Sequence, residues 1–212
     1  YFKFILHSEF DIIRQYFTRP VTKAVLGVGD DAALISTTAN KELVISVDTM
    51  VSGRHFYSDT APRQLGYKAL AVNLSDMAAM GASPRWVTLA LTLPQRLIQK
   101  NQVWLDDFAA GFFSLADNYQ IELIGGDTTR GPLNICVQII GEVDKGKALL
   151  RSGARPGDDI WISGHLGDAA LAIAHEQRHI TLHPHELNQC LTALHTPVAR
   201  IELGRSLIDL AH

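Results

Sequence analysis

Four acidic motifs, each at the end of an apolar segment, are where this chain could do chemistry. They are Gly27-Val28-Gly29-Asp30-Asp31, Ser46-Val47-Asp48-Thr49, Asn73-Leu74-Ser75-Asp76 and Gly125-Gly126-Asp127-Thr128-Thr129. One such aspartate would be a turn residue. Four, far apart in the chain and similarly placed, point to a shared acidic site. Converging carboxylates repel and raise one another's pKa unless cations lie between them. The expected cation is hard and divalent, because oxygen-only donors suit Mg²⁺ over zinc or copper.

Each motif also has a plainer reading. Gly27 to Ala32 partly matches the dinucleotide pattern Gly-x-Gly-x-x-Ala, but two carboxylates would then face a pyrophosphate directly. A metal-mediated phosphate contact through Asp30 or Asp31 fits better, and an Asx-type turn fits the motif alone equally well. Asp48 follows three residues of a strand pattern and shares a face with Ser46; alone it would be a cap or turn carboxylate. Asn73 and Asp76 lie three apart on one helical face, a polar pair that needs either a ligand or an inter-element hydrogen bond. Gly125-Gly126-Asp127 allows close backbone approach to a ligand, and Arg130 beyond it is either a phosphate contact or a surface arginine. His55, after Gly53-Arg54, reads alone as a solvated loop histidine, and Arg151 reads as a phosphate contact or a hinge residue.

The elements that must position these groups follow from periodicity. Residues 8–17 read as a short helix capped by Ser8, with Phe10, Ile13 and Phe17 on one face. Strands are expected at 43–47, 86–93, 121–124 and 133–143, with short alternating runs such as Val87, Leu89, Leu91 and Leu93. Helices are expected at about 62–80, capped by Asp59 or Thr60 and stopped at Gly81, and at about 97–119. Ala33 to Ser36 also reads as extended, Asp159 to Ile162 as a strand and Asp168 to Glu176 as a helix. The fold class is α/β (α+β): an N-terminal mixed sheet with helices on one face, then a partial C-terminal α/β domain. Turn-rich sequence after Asp144 places the boundary there, dividing the chain into 1–144 and 145–212.

The chain has 212 residues, 47% hydrophobic and 19% charged, with a net charge of −3. That balance favours neither nucleic acid nor an anionic membrane as partner. No apolar run reaches transmembrane length. The two cysteines, Cys136 and Cys190, make neither a disulfide framework nor a metal spacing; Cys136 reads as a buried core thiol, and a reducing cytoplasm fits. No Walker loop, protein-kinase motif set or Gly-x-Ser-x-Gly elbow is present.

Taken together, Gly27-Val-Gly-Asp-Asp, Ser46-Val-Asp-Thr-Met with Gly53-Arg-His-Phe, Asn73-Leu-Ser-Asp-Met-Ala-Ala-Met-Gly-Ala, Leu123-Ile-Gly-Gly-Asp-Thr-Thr-Arg-Gly and Leu150-Arg-Ser-Gly-Ala-Arg-Pro-Gly-Asp resemble the thiamine-monophosphate kinase family. That family sits in a superfamily with aminoimidazole ribonucleotide synthetase, selenophosphate synthetase and a hydrogenase maturation factor. The resemblance implies a homodimer in which two N-terminal sheets form a barrel. It also implies phosphorylation of thiamine phosphate by ATP, by direct in-line transfer with Mg²⁺. Carried over residue by residue, it implies Asp31 with adjoining Asp30, Ser46, Val47, Asp48, Asp76 and Asp127 as metal ligands. Val47 stands where relatives often have threonine, so its contact would be through the backbone. Gly126, Asp127 and Arg151 would contact ATP, and His55 thiamine phosphate. No catalytic residue is implied beyond the metal cluster.

Family members continue past the point where this chain stops, with a Ser-Asp-Gly motif and a Gly-Glu-Asp motif. The expectation is therefore a chain holding most of the ATP–Mg²⁺ half of a site, with little turnover by itself. Two alternatives are another ATP-using enzyme of the superfamily and a nucleotide- or metal-binding dimer without turnover.

Overall fold

The computed structural model describes residues 8–100 and 102–211. The chain opens with α1 (Glu9–Ile12), where Ser8 and Asp11 cap each other reciprocally, as a Ser followed three residues later by an acid should. A π-helical turn, Ile13–Phe17, follows directly. The wider turn rotates the buried face. Ile12, Tyr16 and Phe17 enter the core, whereas Phe10, expected inside, is 70% exposed.

Four strands make one sheet in the order β1-β4-β2-β3: β1 (Lys41–Val51), β2 (Ser83–Leu93), β3 (Glu122–Arg130) and β4 (Asn134–Asp144). β4 runs antiparallel to β1 and β2, and β2 parallel to β3, so the sheet is mixed. The parallel pair needs a crossover. It is supplied by α3 (Gln95–Lys100) and α4 (Gln102–Asn118).

With α2 (Pro62–Ala79), α4 covers one face of the sheet. Val87, Leu89, Leu91 and Leu93 of β2 and Ile135, Val137 and Ile139 of β4 point into it, as their alternation predicts. In α2, consecutive Ala69, Leu70 and Ala71 are all buried, so the middle of the helix is enclosed, while Arg63, Gln64, Ser75 and Ala79 nearer its ends are exposed. Its packing is close: a Cβ on Gly66 would lie 2.1 Å from the Phe108 carbonyl oxygen on α4. Neither Asp59 nor Thr60 caps α2; Ala61 takes that place without a side-chain bond, and Pro62 needs no donor partner in the first turn.

The opposite face is covered in part by the segment between the π-helical turn and β1. Ala24, Trp86 and Ile124 form a small second cluster there, with Val21, Ala33, Ile35 and Ile140 against it. Ala33 to Ser36 is not a strand; only Leu34 makes a β-bridge, to Leu26. On β1 this face is bare: Leu43 is 38%, Ile45 56% and Val47 59% exposed. Cys136 lies on the same face of β4 and is only partly buried, contrary to the core position its apolar neighbours indicated; Cys190 is the buried thiol.

Past Asp144 come α5 (Asp168–Glu176), α6 (Pro184–His195) and α7 (Ile201–Ser206). α5 and α6 share a small cluster of Ala172, Cys190 and Leu194. Ala199 and Ile201, by contrast, belong to the main core, and the Tyr119 hydroxyl donates to the Ala199 carbonyl at 3.3 Å. Asp159 to Ile162 is not a strand. Ile160 and Trp161 are 92% and 90% exposed, because among the described residues no strand edge lies beside them to pair with. Among the described residues no helix is long and apolar enough to cross a membrane.

Candidate functional site

Sheet register sets the site. Asp48 on β1 stands opposite Val137 on β4, Val137 opposite Leu89 on β2, and Leu89 opposite Gly126 on β3. Two motifs separated by most of the N-terminal sequence thus fall on one row across the sheet. Three interstrand steps of about 4.8 Å put their backbones about 14 Å apart.

At the β1 end, alternation turns Val44, Ser46, Asp48 and Met50 toward the helices. There Ser46 Oγ donates to Asp76 Oδ2 on α2 at 2.5 Å. Burial pushes the Asp48 carboxyl above its ordinary range, the neighbouring Asp76 pushes it further, and His55 opposes both. Asp48, Asp76 and His55 are therefore electrostatic neighbours. His55 sits in the turn after β1, anchored by buried Phe56. Its Nδ1 accepts the Val51 backbone N–H at 3.0 Å, so in the neutral ring Nε2 carries the proton and points away from that bond as a donor. Val47 faces the bare side, leaving its backbone as the contact it could offer at this end.

At the β3 end, Asp30, Asp31, Gly126 and Asp127 line one cavity of about 780 Å³, with Phe10 and Arg14 on its rim. Gly125-Gly126-Asp127-Thr128-Thr129-Arg130 is not a loop after a short strand, as expected, but the continuation of β3 itself. The parallel partner β2 runs on to Leu93 and keeps it paired, past an irregularity at Val87/Thr88. Gly126 lies so close to β2 that a Cβ would be 1.9 Å from the Leu89 carbonyl oxygen. Only a residue without a Cβ lets β3 approach β2 this closely.

The two ends stay apart: Asp48 faces the helices, whereas the segment carrying Asp30 and Asp31 lies over the opposite face of the sheet. Among the described residues no three of Asp, Glu, His and Cys stand close enough to hold a metal ion as they are. The donors nonetheless fit Mg²⁺. All are oxygens, and the Asp48 carboxyl, raised by burial and then by Asp76, carries a repulsion that a cation would relieve. Asn73 is fully buried, with Nδ2 donating to the Ala69 carbonyl and Oδ1 without a partner among the described residues; it does not join the acids. Arg151 opens the 3₁₀ turn Arg151–Gly153 and is exposed, and no contact with the four acidic motifs is seen.

Sequence reasoning passed over Glu122 and Glu142, which fasten the segment carrying Asp30 and Asp31 to the sheet. The signal was there: Glu142 interrupts the apolar run from Ile135 to Val143, and it is 3% exposed. A buried carboxylate in a strand must have partners.

A mixed sheet backed by two helices, with an acidic motif on each of its edge strands β1 and β3, defines an α/β protein. Residues 29–143 match the family model for AIR synthase related protein, N-terminal domain, and the chain belongs to that family. It is 46% identical over 209 residues to the thiamine-monophosphate kinase of Escherichia coli (strain K12), covering 97% of this chain and 63% of that protein. Among solved structures it is similar to the thiamine-monophosphate kinase from Stenotrophomonas maltophilia K279a, with a TM-score of 0.81, 47% identity, and 90% of this chain and 60% of that one covered. It is also similar to AaThiL complexed with AMPPCP and TMP, with a TM-score of 0.73, 30% identity, and 85% and 57% covered. The chain spans about 63% of the length of the Escherichia coli relative.

Proposed function

We propose that this chain belongs to an enzyme that phosphorylates thiamine phosphate with ATP, yielding thiamine diphosphate and ADP, and that it supplies the nucleotide–metal part of the site. The observation that carries the reading is the cavity lined by Asp30, Asp31, Gly126 and Asp127, tied in register to Asp48 through the row Asp48–Val137–Leu89–Gly126. The relatives named thiamine-monophosphate kinase, and the neighbour bound to AMPPCP and TMP, support the substrate pair.

In the reaction a terminal oxygen of thiamine phosphate attacks the γ-phosphorus in line, the bond from that phosphorus to the β–γ bridging oxygen breaks, and ADP leaves. Such transfers rest on positioning and charge stabilisation more than on covalent chemistry. Asp31, Ser46, the Val47 backbone, Asp48, Asp76 and Asp127, with Asp30 adjoining, would hold Mg²⁺, which when bound neutralises the phosphate oxygens. Gly126 lets the phosphate chain lie against β3, and Asp127 sits next to it. Ser46 orients Asp76 through their hydrogen bond. His55 offers Nε2–H to the thiamine phosphate, held in that tautomer by Val51. Arg151 reaches an ATP phosphate.

The same proposal makes the protein a cytoplasmic homodimer. Leu43, Ile45 and Val47 leave an apolar stripe on the bare face of β1, and a second sheet laid over it would cover that stripe.

The test is product analysis on the protein carrying this chain. ATP, Mg²⁺ and thiamine phosphate should give ADP and thiamine diphosphate in equal amounts. ADP release driven by the substrate of aminoimidazole ribonucleotide synthetase, or Mg·AMPPCP binding with no transfer to thiamine phosphate, overturns the reading.

A further inference from the structure

The segment from Thr22 to Thr38 crosses the sheet face opposite the helices and is fastened at both ends by a glutamate of the sheet. Glu122, at the start of β3, takes the first end. Its Oε1 accepts the Thr22 backbone N–H at 2.5 Å, the Thr22 hydroxyl at 2.9 Å and the Lys23 N–H at 2.8 Å, and its Oε2 accepts the Ala24 N–H at 2.9 Å. Glu142, near the end of β4, takes the other. Its Oε1 accepts the Thr38 N–H at 3.0 Å, and its Oε2 accepts the Thr38 hydroxyl at 3.0 Å and Arg85 Nε at 3.1 Å. Between the anchors, Leu26 and Leu34 exchange backbone hydrogen bonds of 3.1 and 3.0 Å and close the Gly27–Ala33 loop. That loop carries Asp30 and Asp31 out over the cavity that Gly126 and Asp127 share.

Burial by itself would raise the Glu122 carboxyl, but the N–H groups of Thr22, Ala24 and Lys23 outweigh it and hold the group below its ordinary range. Glu142 is likewise held low against burial by Thr38 and Arg85. Both stay ionised, and charge-assisted bonds are the strong kind. An exposed glycine-containing loop would otherwise sample many conformations and would have to be ordered anew by each ligand.

We propose that Glu122 and Glu142 are positioning residues for the nucleotide–metal site, clamping the ends of one segment so that Asp30 and Asp31 face Gly126-Asp127 before the ligand arrives. This rests on the nucleotide–metal reading above. In Glu122→Gln an amide NH₂ replaces one accepting oxygen, so at least one backbone N–H of the anchor loses its acceptor. The clamp is remote from the ligand, and its effect passes through Asp31.

The test is a double-mutant cycle read by calorimetry with Mg·AMPPCP, on the wild type, Glu122→Gln, Asp31→Asn and the double variant, with melting temperature recorded for each. Glu122→Gln should weaken binding roughly tenfold in the wild-type background and less than about twofold beside Asp31→Asn, the non-additivity of groups acting as a unit. Glu142→Gln should behave in the same way. Equal weakening in both backgrounds, or unchanged affinity with only a lower melting temperature, overturns the clamp. Asp31→Asn binding like the wild type overturns the parent reading and the clamp with it, which separates that failure from the clamp's own. Should Glu122→Gln not fold, Thr22→Ala, which removes only the hydroxyl bond, replaces it in the cycle; a loss of roughly threefold that vanishes beside Asp31→Asn is expected, and no coupling overturns the proposal.

Discussion

Ser46 on the edge strand β1 donates its hydroxyl to Asp76 on α2, and so joins two motifs that lie in different elements. The bond engages one carboxylate oxygen of Asp76, Oδ2. Asp48, two residues along the same strand face, then sits beside a carboxylate that cannot swing away. Burial first, and then this neighbouring carboxylate, push the Asp48 carboxyl above its ordinary range. The acid pair is therefore unfavourable in the ion-free chain, a cost that the proposed cation would relieve.

Asp48→Asn should consequently stabilise the chain in metal-free buffer while weakening its response to Mg²⁺. The sign follows from linkage. The folded pKa lies above the ordinary 3.8, so between that value and the raised one the folded chain binds more protons than the unfolded chain. Stability falls as pH rises through that window and stays lowered above it. The variant removes this cost. A melting temperature higher by roughly 1–3 °C at neutral pH without Mg²⁺ is expected, converging with the wild type below the window. A lower melting temperature for the variant at neutral pH would contradict the pairing.

His55→Ala should raise the KM for thiamine phosphate roughly tenfold, the worth of one charge-assisted hydrogen bond, with Mg·AMPPCP affinity unchanged. The measurement is steady-state kinetics with each substrate varied in turn, beside calorimetry. Equal weakening for both ligands would make His55 a prop for the β1 turn, where it already accepts the Val51 N–H.

The exposed stripe of Leu43, Ile45 and Val47 should be covered by a second copy of the chain in solution. Sedimentation at micromolar concentration should give a dimer for the wild type and a monomer for Ile45→Asp. A wild-type monomer at that concentration would show that the bare face of β1 has another use.

Much of this architecture was legible in the sequence, and the rest was hidden for identifiable reasons. The faces of β1, β2 and β4 followed from period-two alternation, and the Ser8 cap from its acid three residues on. The length of β3 did not, because Gly125 and Gly126 read as a stop while pairing to β2 carries the strand through them. Asp159 to Ile162 had a strand's pattern without a partner edge among the described residues, and local pattern cannot report pairing. The inward face of the first helix was misplaced by the π-helical turn, since a change of helical period leaves no mark in composition. Of the site, Ser46, Asp48 and Asp76 do come together with His55, and Asp30 and Asp31 share a cavity with Gly126 and Asp127. Glu122 and Glu142 were missed because their partners are backbone N–H groups of a distant segment, which no motif records.

The central claim is that Asp31, Asp48, Asp76 and Asp127 act together to hold a metal-bound nucleotide. Calorimetry of AMPPCP binding, with Mg²⁺ and with EDTA, on the wild type and each single Asp→Asn variant tests it most directly. The account predicts binding that requires Mg²⁺, weakened roughly tenfold or more, about 1.4 kcal/mol, by each substitution. Binding of the same strength in EDTA, or any one of the four variants binding as the wild type does, would contradict it.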